Sequence, residues 1–422
     1  MNSAPPVRNP RTGENDFVIE PYDREDVERE AAHIRSNQPA WAADLDLRIA
    51  TLEAWKDELV KARGDIAEAL TIDTGRRALS YAEVDVIIGA TERWCRQAPE
   101  LLKPPQSRNS EMPGIELSWA YSPYPVVAII SPWNFPLILT LIDAVPALAA
   151  GCAVMAKASK VTPRFVEPLA DTIARVPELD KVFRMIRGVG RIGSVMIDYA
   201  DAVAFTGSIP VGRIVAHAAA ERLIPAFLEL GGKDAAIVTA DADIERATTS
   251  LLRASVANTG QACQSIERIY VQRPVFDDFV AKLVEKAKAA QLNYPDINSG
   301  HVGPLIAAEQ ADIIRDHVAD AVAKGATVHT GGEILNHGGG AWCRPTVLTE
   351  VSHDMECMRE ETFGPLMPVM PFDTIDEAVT LANDSNCGLS GAVIAGSREE
   401  AEAIGRRMEA GGISIGDAGM TS

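Results

Sequence analysis

The sequence is short of cysteine, of positive charge and of uninterrupted hydrophobic runs, and each shortage closes off a class of function. Six cysteines in 422 residues (Cys95, Cys152, Cys263, Cys343, Cys357 and Cys387) form no CxxC pair and no zinc-ligand spacing. No disulfide framework and no metal centre are therefore expected. The opening stretch MNSAPPVRNPRTGEND has no apolar core of the kind a secretory leader carries, so reduced thiols in a cytoplasmic protein are expected. Lys and Arg number 40 against 59 Asp and Glu, a formal net charge of -19, which argues against a nucleic-acid partner. The longest apolar stretch, Pro136 to Ala156, is broken by Asp143, Pro146 and Gly151 and does not read as a membrane span.

What is present is length and alternation. A chain of 422 residues exceeds one ordinary core and implies at least two domains. Arg24–Ala43, Asp46–Thr71 and Leu79–Gln97 have helical character, with Pro99 expected to stop the third. Ile115, Leu117, Trp119 and Tyr121 alternate strictly within a polar, proline-bounded segment, which predicts a half-exposed strand or hairpin arm. From Tyr124 onward, apolar runs at Val126–Ile130, Ala153–Lys157, Val182–Ile186, Ala202–Phe205, Ala226–Leu230 and Ala235–Val238 read as buried strands. They alternate with helical segments at Leu137–Leu148, Val166–Ile173 and Val211–Ala219. That alternation predicts a parallel sheet covered on both faces, with a nucleotide site at the carboxyl ends of its strands. A second α/β unit follows the Gly231-Gly232 pair. The expected fold class is α/β: a Rossmann-like cofactor domain (1–103 and 124–231), a small β oligomerisation arm (104–123) and a second α/β catalytic domain (232–422).

Four segments carry chemistry. In Ser131-Pro132-Trp133-Asn134-Phe135-Pro136, an Asn sits in a proline-restricted loop after a strand, where its amide can be aimed into a cleft; capping of the next helix is the alternative role. In Asn258-Thr259-Gly260-Gln261-Ala262-Cys263, a thiol follows an exposed turn, where helix N-termini or cations would favour its thiolate. In Leu228-Glu229-Leu230-Gly231-Gly232-Lys233, a carboxylate ends an apolar strand, and desolvation there would raise its proton affinity toward that of a general base; an ion pair with Lys233 is the alternative. Phe205-Thr206-Gly207-Ser208 is a strand-to-helix turn that offers backbone N–H groups and a hydroxyl to a pyrophosphate. Gly188-Val189-Gly190-Arg191-Ile192-Gly193 also has the form GxGxxG. The acidic residue expected about twenty positions later is missing, because Arg213 stands there, so this segment reads as a structural turn.

Those motifs, together with Glu361-Thr362-Phe363-Gly364-Pro365, occur in an order that closely resembles the aldehyde dehydrogenase superfamily of the NAD(P)-dependent, hydrolytic, non-CoA-acylating kind. The resemblance spans roughly residues 15 to 416. It implies Cys263 as nucleophile, Glu229 as general base and Asn134 as oxyanion donor, assisted by the Cys263 N–H. It implies NAD or NADP as cofactor, held by Ile130, Trp133, Lys157, Ser159, Lys160, Gly207, Ser208, Glu361 and Phe363, with no metal. The reaction implied is oxidation of an aldehyde to a carboxylic acid through a cysteine thiohemiacetal and thioester. A CoA-acylating enzyme, or a non-catalytic protein on the same fold, is the alternative.

Several positions depart from the family pattern. Lys160 stands where NAD-preferring members usually carry Glu, so NADP is expected to be accepted at least as well as NAD. Ala158 replaces a Pro, Asp234-Ala235 replace a neutral residue and Pro, Cys387 replaces a frequent Tyr, and Gly416 replaces an Asn. Relative to the family, a C-terminal segment with a strand used in subunit assembly is missing from the sequence as given; with that strand, a homodimer or homotetramer is expected. The stripe Phe135, Ile138, Leu139 and Ile142 on the helix after Asn134 could line a tunnel for an apolar or aromatic aldehyde; the core face of that helix is its other reading.

Overall fold

Short apolar runs with both faces covered have only one economical arrangement, a parallel sheet between helices, and the chain builds two such sheets. The computed structural model describes residues 5–419. It divides into two compact units: Met1–Val7, Asn15–Asp73 and Arg77–Glu229 form the first, and Arg8–Glu14, Thr74–Arg76 and Leu230–Ser422 the second. The division falls at Glu229/Leu230. Two short N-terminal segments, expected in the cofactor domain, group with the second unit. Arg11 accounts for one of them: it donates to the carbonyls of Asn293 and Pro295.

In the first unit, β1 (Val126–Ile130), β2 (Ala153–Lys157), β3 (Phe183–Ile186), β4 (Ala202–Thr206) and β5 (Ala226–Glu229) form a five-stranded sheet. Its order is β3-β2-β1-β4-β5, all parallel. The order reverses direction between β1 and β4, and the crevice beyond the carboxyl ends of those strands is where such sheets take ligands. Four helices precede the sheet: α1 (Arg24–Ala43), α2 (Leu45–Lys61), α3 (Arg63–Thr74) and α4 (Arg77–Leu101). The single helix expected over 46–71 is two, parted at Ala62, which caps α2. Pro99 does not stop α4, which runs to Leu101. A proline in the last turn forfeits one hydrogen bond without obstructing anything beyond it, and Leu102 still bonds back to Ala98.

Between the strands lie α5 (Pro136–Ala150), α6 (Val166–Ala174), α7 (Gly190–Asp198) and α8 (Ile209–Glu221). α5 opens on proline, whose missing N–H costs nothing at that position, and closes on Gly151 at φ 102°, a left-handed cap that glycine adopts without strain. The expected arm is a smaller hairpin than its alternation suggested. Only Arg108–Asn109 and Glu116–Leu117 pair, and Ile115, Leu117, Trp119 and Tyr121 are exposed.

In the second unit, seven strands run β6 (Asp234–Val238), β7 (Ile266–Gln272), β8 (Thr327–Thr330), β9 (Thr346–Thr349), β10 (Leu366–Phe372), β11 (Ser390–Ile394) and β12 (Gly412–Ile415). Their order is β8-β9-β10-β7-β6-β11-β12, parallel except for β8 against β9. One core lies on each face: Tyr270, Ile314 and Phe372 belong to one, and Ile269, Leu251 and Phe279 to the other. Among the described residues, no helix is long and apolar enough to cross a membrane.

Candidate active site

The first unit gathers its predicted residues where strands end. β1 delivers the loop 131–135, which is pinned at each step. Ser131 bonds Thr140 at 2.6 Å and the Lys157 carbonyl, Thr162 donates to the Trp133 carbonyl at 3.2 Å, and α5 begins at once. Phe135, the N-cap of α5, supplies no side-chain cap. The buried carboxylate of Glu83 on α4 does so instead, accepting the N–H groups of Leu137 and Ile138 at 3.1 and 3.3 Å. Asn134 is 2% exposed within this braced loop, so its side chain cannot wander. Glu83 was not apparent in the sequence; an acidic residue inside the buried face of a helix is the signal it offered.

Lys157 ends β2 with its ammonium buried, and burial followed by the charge of Lys160 lowers its pKa to about 8. Among the described residues its ammonium donates to the Ala158 carbonyl at 3.0 Å, and an ammonium carries three donors. Lys160 is exposed. Beside them a cavity of about 300 Å³ is lined by Phe17, Ser159, Glu167, Arg187 and Gly188. Gly188 opens the GxGxxG segment that was read as a structural turn. The segment is a strand-to-helix turn between β3 and α7, and it walls this cavity. At Gly207, after β4, a β-carbon would lie 2.6 Å from the ring of Phe205, so only glycine lets the backbone turn there. These are the attributes of a polar ligand cradle: a buried cation, a turn free of side chain, and the hydroxyls of Ser159 and Ser208.

Glu229 ends β5 and is exposed. β5 is the edge strand of its sheet, and the carboxylate at its end is exposed where the sequence predicted a desolvated one. Lys233, the partner expected in the alternative reading, is paired with Glu267 at 2.6 Å. Asp143 on α5 feels Glu229: burial first, and the Glu229 charge second, raise its pKa.

The second unit gathers its residues at the amino ends of strands. Cys263 lies just before β7, half-exposed, on a chain segment held in an uncommon shape. Asn258, Thr259 and Gly260 have φ of 54°, 59° and 72°, three consecutive left-handed residues. Side chains lock them. Asn258 donates to the Gln261 carbonyl at 2.9 Å, Thr259 to Gly303 at 3.0 Å, and Gln261 donates to Asn258 while accepting from Ile306. Glu361 and Phe363 stand before β10, and Phe363 is also left-handed, at φ 54°. The Glu361 carboxylate accepts the Gly232 N–H at 3.1 Å and packs against Gly231, where a β-carbon would collide with it.

The electrostatics of this half are acidic. Burial, then Asp234 and Glu361, push the Cys263 thiol up to about 11. Cations and helix ends were expected to favour a thiolate; the charged neighbours are carboxylates, so the sulfur rests protonated. Burial and then Glu267 bring Glu361 to about 7, and burial brings Asp234, which accepts from the Ser390 hydroxyl and N–H, to about 7. Among the described residues, no group of three or more His, Cys, Asp or Glu could hold a metal ion.

Residues 2–422 match the aldehyde dehydrogenase family. The chain belongs to that family. Family membership makes its reaction the NAD(P)-dependent oxidation of an aldehyde. The putative aldehyde dehydrogenase PutA from Anabaena variabilis superposes with a TM-score of 0.96 at 50% identity, covering 98% of this chain and 88% of that one. A putative succinate-semialdehyde dehydrogenase [NADP(+)] from Mycolicibacterium smegmatis is 36% identical over 415 residues, 97% of this chain and 80% of the relative. The 4,4'-diapolycopene aldehyde oxidase of a Methylomonas species is 36% identical over 375 residues, 88% of this chain and 70% of the relative. For an aldehyde dehydrogenase, a thiol that rests protonated sets a requirement: a base must take the proton as sulfur attacks.

Proposed function

We propose that Cys263 is the nucleophile of this aldehyde dehydrogenase, Glu229 its general base and Asn134 its oxyanion donor. The observation that carries the reading is the left-handed run Asn258–Gly260 just before a half-exposed thiol. Left-handed non-glycine residues cost about 1–3 kcal/mol each and persist where the surroundings over-determine them, which is typical of reacting sites.

The thiol proton leaves to Glu229 as the Cys263 sulfur bonds the aldehyde carbon. The former carbonyl oxygen becomes an anion that accepts hydrogen bonds from the Asn134 amide NH2 and the Cys263 N–H. The nicotinamide supplies the acceptor for the hydride that then departs from that carbon. Cys263 is left as a thioester. Because Glu229 is exposed, it can shed its first proton to solvent and then take another from the water that attacks the thioester. The carboxylic acid leaves and the Cys263 thiol is restored. Lys157, Ser159 and Lys160 are assigned to the adenosine ribose, Gly207 and Ser208 to the pyrophosphate, and Ile130 and Trp133 to the cleft wall. Glu361 is assigned to the nicotinamide ribose and Phe363 to the ring beside it. Lys160 makes NADP at least as acceptable as NAD, and Arg187, facing the cavity beside Ser159, is a further cation for a 2′-phosphate.

The substrate we infer is an apolar or aromatic aldehyde. On α5 the buried face is Leu137, Thr140, Leu141, Ala144, Val145 and Leu148. Phe135, Ile138, Leu139 and Ile142 lie on the opposite, less buried face, so they are not that helix's core. The only charge on α5 is Asp143, on the same face, which is unsuited to an anionic tail. A semialdehyde substrate is the second reading, favoured by the name of the mycobacterial relative. We place the protein in the cytoplasm, where its six free thiols stay reduced, and expect a dimer or tetramer through the exposed arm when the family's C-terminal strand is present. Hexanal, benzaldehyde and succinate semialdehyde, each with NAD+ and with NADP+, decide the matter by absorbance of the reduced cofactor. The first two should give the higher kcat/KM. Preference for succinate semialdehyde would establish the second reading, and no reduction with any of a wide panel would refute the catalytic one.

A further inference from the structure

Two charged residues, Glu267 and Arg268, sit inside the otherwise apolar strand β7, and both are buried. The family reading assigns neither a task. Arg268 is consumed by structure: it donates to the carbonyls of Lys233, Leu381 and Ala382. Glu267 is different, because it accepts two successive N–H groups of one turn and the ammonium of Lys233. Its Oε2 accepts the Lys233 ammonium at 2.6 Å and the Thr362 N–H at 2.8 Å, and its Oε1 accepts the Phe363 N–H at 2.8 Å. The side chains of Lys233 and Glu267 are 0% and 3% exposed. The other groups of Thr362 are tied as well: its hydroxyl meets Lys233 and His317 at 3.3 and 3.1 Å, and its carbonyl accepts from Gln310 at 2.8 Å.

We propose that Glu267 is a positioning residue for the nicotinamide side of the cofactor, holding the Glu361–Thr362–Phe363 turn in its left-handed form by accepting two successive backbone N–H groups while Lys233 neutralises it. The inference rests on the assignment of Glu361 and Phe363 made above. Its physical basis is that consecutive N–H groups pointing the same way in a buried place require an acceptor. A carboxylate offers two oxygens in the spacing they need, and only a paired carboxylate can be buried at tolerable cost. A left-handed phenylalanine would otherwise relax to an extended form and carry Glu361 with it.

Glu267 also acts on Glu361 through charge. Facing Glu361 are the carboxylates of Glu267 and Asp234, the ammonium of Lys233, the Gly232 N–H, and the thiols of Cys263 and Cys387, whose own titration Glu361 opposes. After burial, Glu267 is the largest influence holding Glu361 near neutrality. A Glu361 that must ionise to accept ribose hydroxyls thus makes cofactor binding tighten as pH rises through about 7.

The test is cofactor binding without substrate, followed by quenching of tryptophan fluorescence on the full chain between pH 5.5 and 9, alongside the rate of Cys263 alkylation by iodoacetamide. Wild type should bind NAD+ or NADP+ with a midpoint near neutrality. E267Q keeps one acceptor oxygen and loses the charge, so its midpoint should move to lower pH. E267A releases the turn, and binding should weaken about tenfold or more at every pH, while Cys263 alkylation at pH 8 should speed up, because the Glu361 charge that opposes its ionisation is displaced. Where loss of the partner charge leaves Lys233 stranded and the chain does not fold, the paired variant K233M/E267A is read instead, with the same weakening expected. Unchanged affinity in E267A or the paired variant, or an unmoved midpoint in E267Q, overturns the positioning role. Absence of any dinucleotide binding by folded wild type overturns the cofactor assignment instead, which separates the two failures.

Discussion

A β-carbon on Gly260 would run into the carbonyl of Gly364, so the turn that leads to Cys263 and the turn that follows Glu361 and Phe363 are in backbone contact. Gly260 is also left-handed, at φ 72°. Gly260→Ala must therefore separate the two turns and strain its own backbone. We expect a loss of about 1–3 kcal/mol of stability together with a fall in kcat of about a hundredfold, as a displacement near 1 Å can cause. Gly114, equally left-handed but with open space around it, is the control: Gly114→Ala should leave kcat unchanged. Thermal unfolding and steady-state kinetics check both, and a Gly260→Ala enzyme of normal kcat would show that the contact does not matter to the reaction.

The protonated state of Cys263 gives a pH dependence with a definite sign. Its thiol is pushed up to about 11, so the reactive thiolate is the minor form throughout the working range. The rate of alkylation by iodoacetamide should climb from pH 6 to pH 10 without levelling, and Cys263→Ala should abolish both the alkylation and aldehyde oxidation while cofactor still binds. A rate that levels off below pH 8 would mean that some cation or base lowers the thiol in solution and that the acidic surroundings do not govern it.

Asn134 and Glu229 should fail differently. Asn134→Ala removes one donor from an anion that forms during the reaction, so the chemical step should slow by about 10²–10³-fold with a smaller change in aldehyde affinity. Glu229→Gln should lower steady-state turnover by about 10²–10⁴-fold. Its first turnover, in which solvent base can stand in at raised pH, should still release reduced cofactor as a burst. Stopped-flow traces at 340 nm separate the two. Equal loss of burst and steady state in Glu229→Gln would confine its role to the first proton transfer.

The alternation from Val126 to Val238 was legible because buried parallel strands are apolar on both faces and leave short, continuous runs; all six expected strands are present, each within one residue at either end. The arm was read too large. Period-two alternation at Ile115–Tyr121 is necessary for a strand, but pairing also needs an opposing partner, and only Glu116–Leu117 have one within the hairpin. Glu83 and Glu267 were overlooked because each serves a backbone distant in sequence: Glu83 the first turn of α5, Glu267 the Thr362–Phe363 turn. Their legible trace was a charge inside an apolar pattern, which says that a partner must exist without naming it. Cofactor motifs were visible as glycines and hydroxyls after strands, whereas the acidity around Cys263 comes from Asp234 and Glu361, 29 and 98 positions away, and no local pattern could disclose it.

In the proposed reading, cofactor choice turns on Lys160. It is exposed, and its charge adds to burial, the larger cause, in lowering the Lys157 ammonium to about 8. A second cation so near is costly unless something anionic joins the pair. A 2′-phosphate would do so by pairing with Lys160; Arg187 lines the cavity by Ser159, together with the carboxylates of Glu20 and Glu167. Lys160→Glu replaces that attraction with repulsion, and the new carboxylate can accept hydrogen bonds from an unphosphorylated ribose. The ratio of kcat/KM for NADP+ to that for NAD+ should fall by about tenfold or more, the equivalent of roughly 1.4 kcal/mol. Arg187→Ala should lower the same ratio by less, because that side chain also stacks on Tyr22 and is only partly committed to the cavity. Exposure tempers the size of these effects, since water screens an open lysine more than a buried one. The comparison is best made at low and at 0.5 M salt. If Lys160 reads the phosphate, salt should weaken NADP+ binding more than NAD+ binding in wild type, and should lose that selectivity in Lys160→Glu. A ratio that neither substitution moves would assign the choice to other contacts and leave Lys160 as a solvated surface charge.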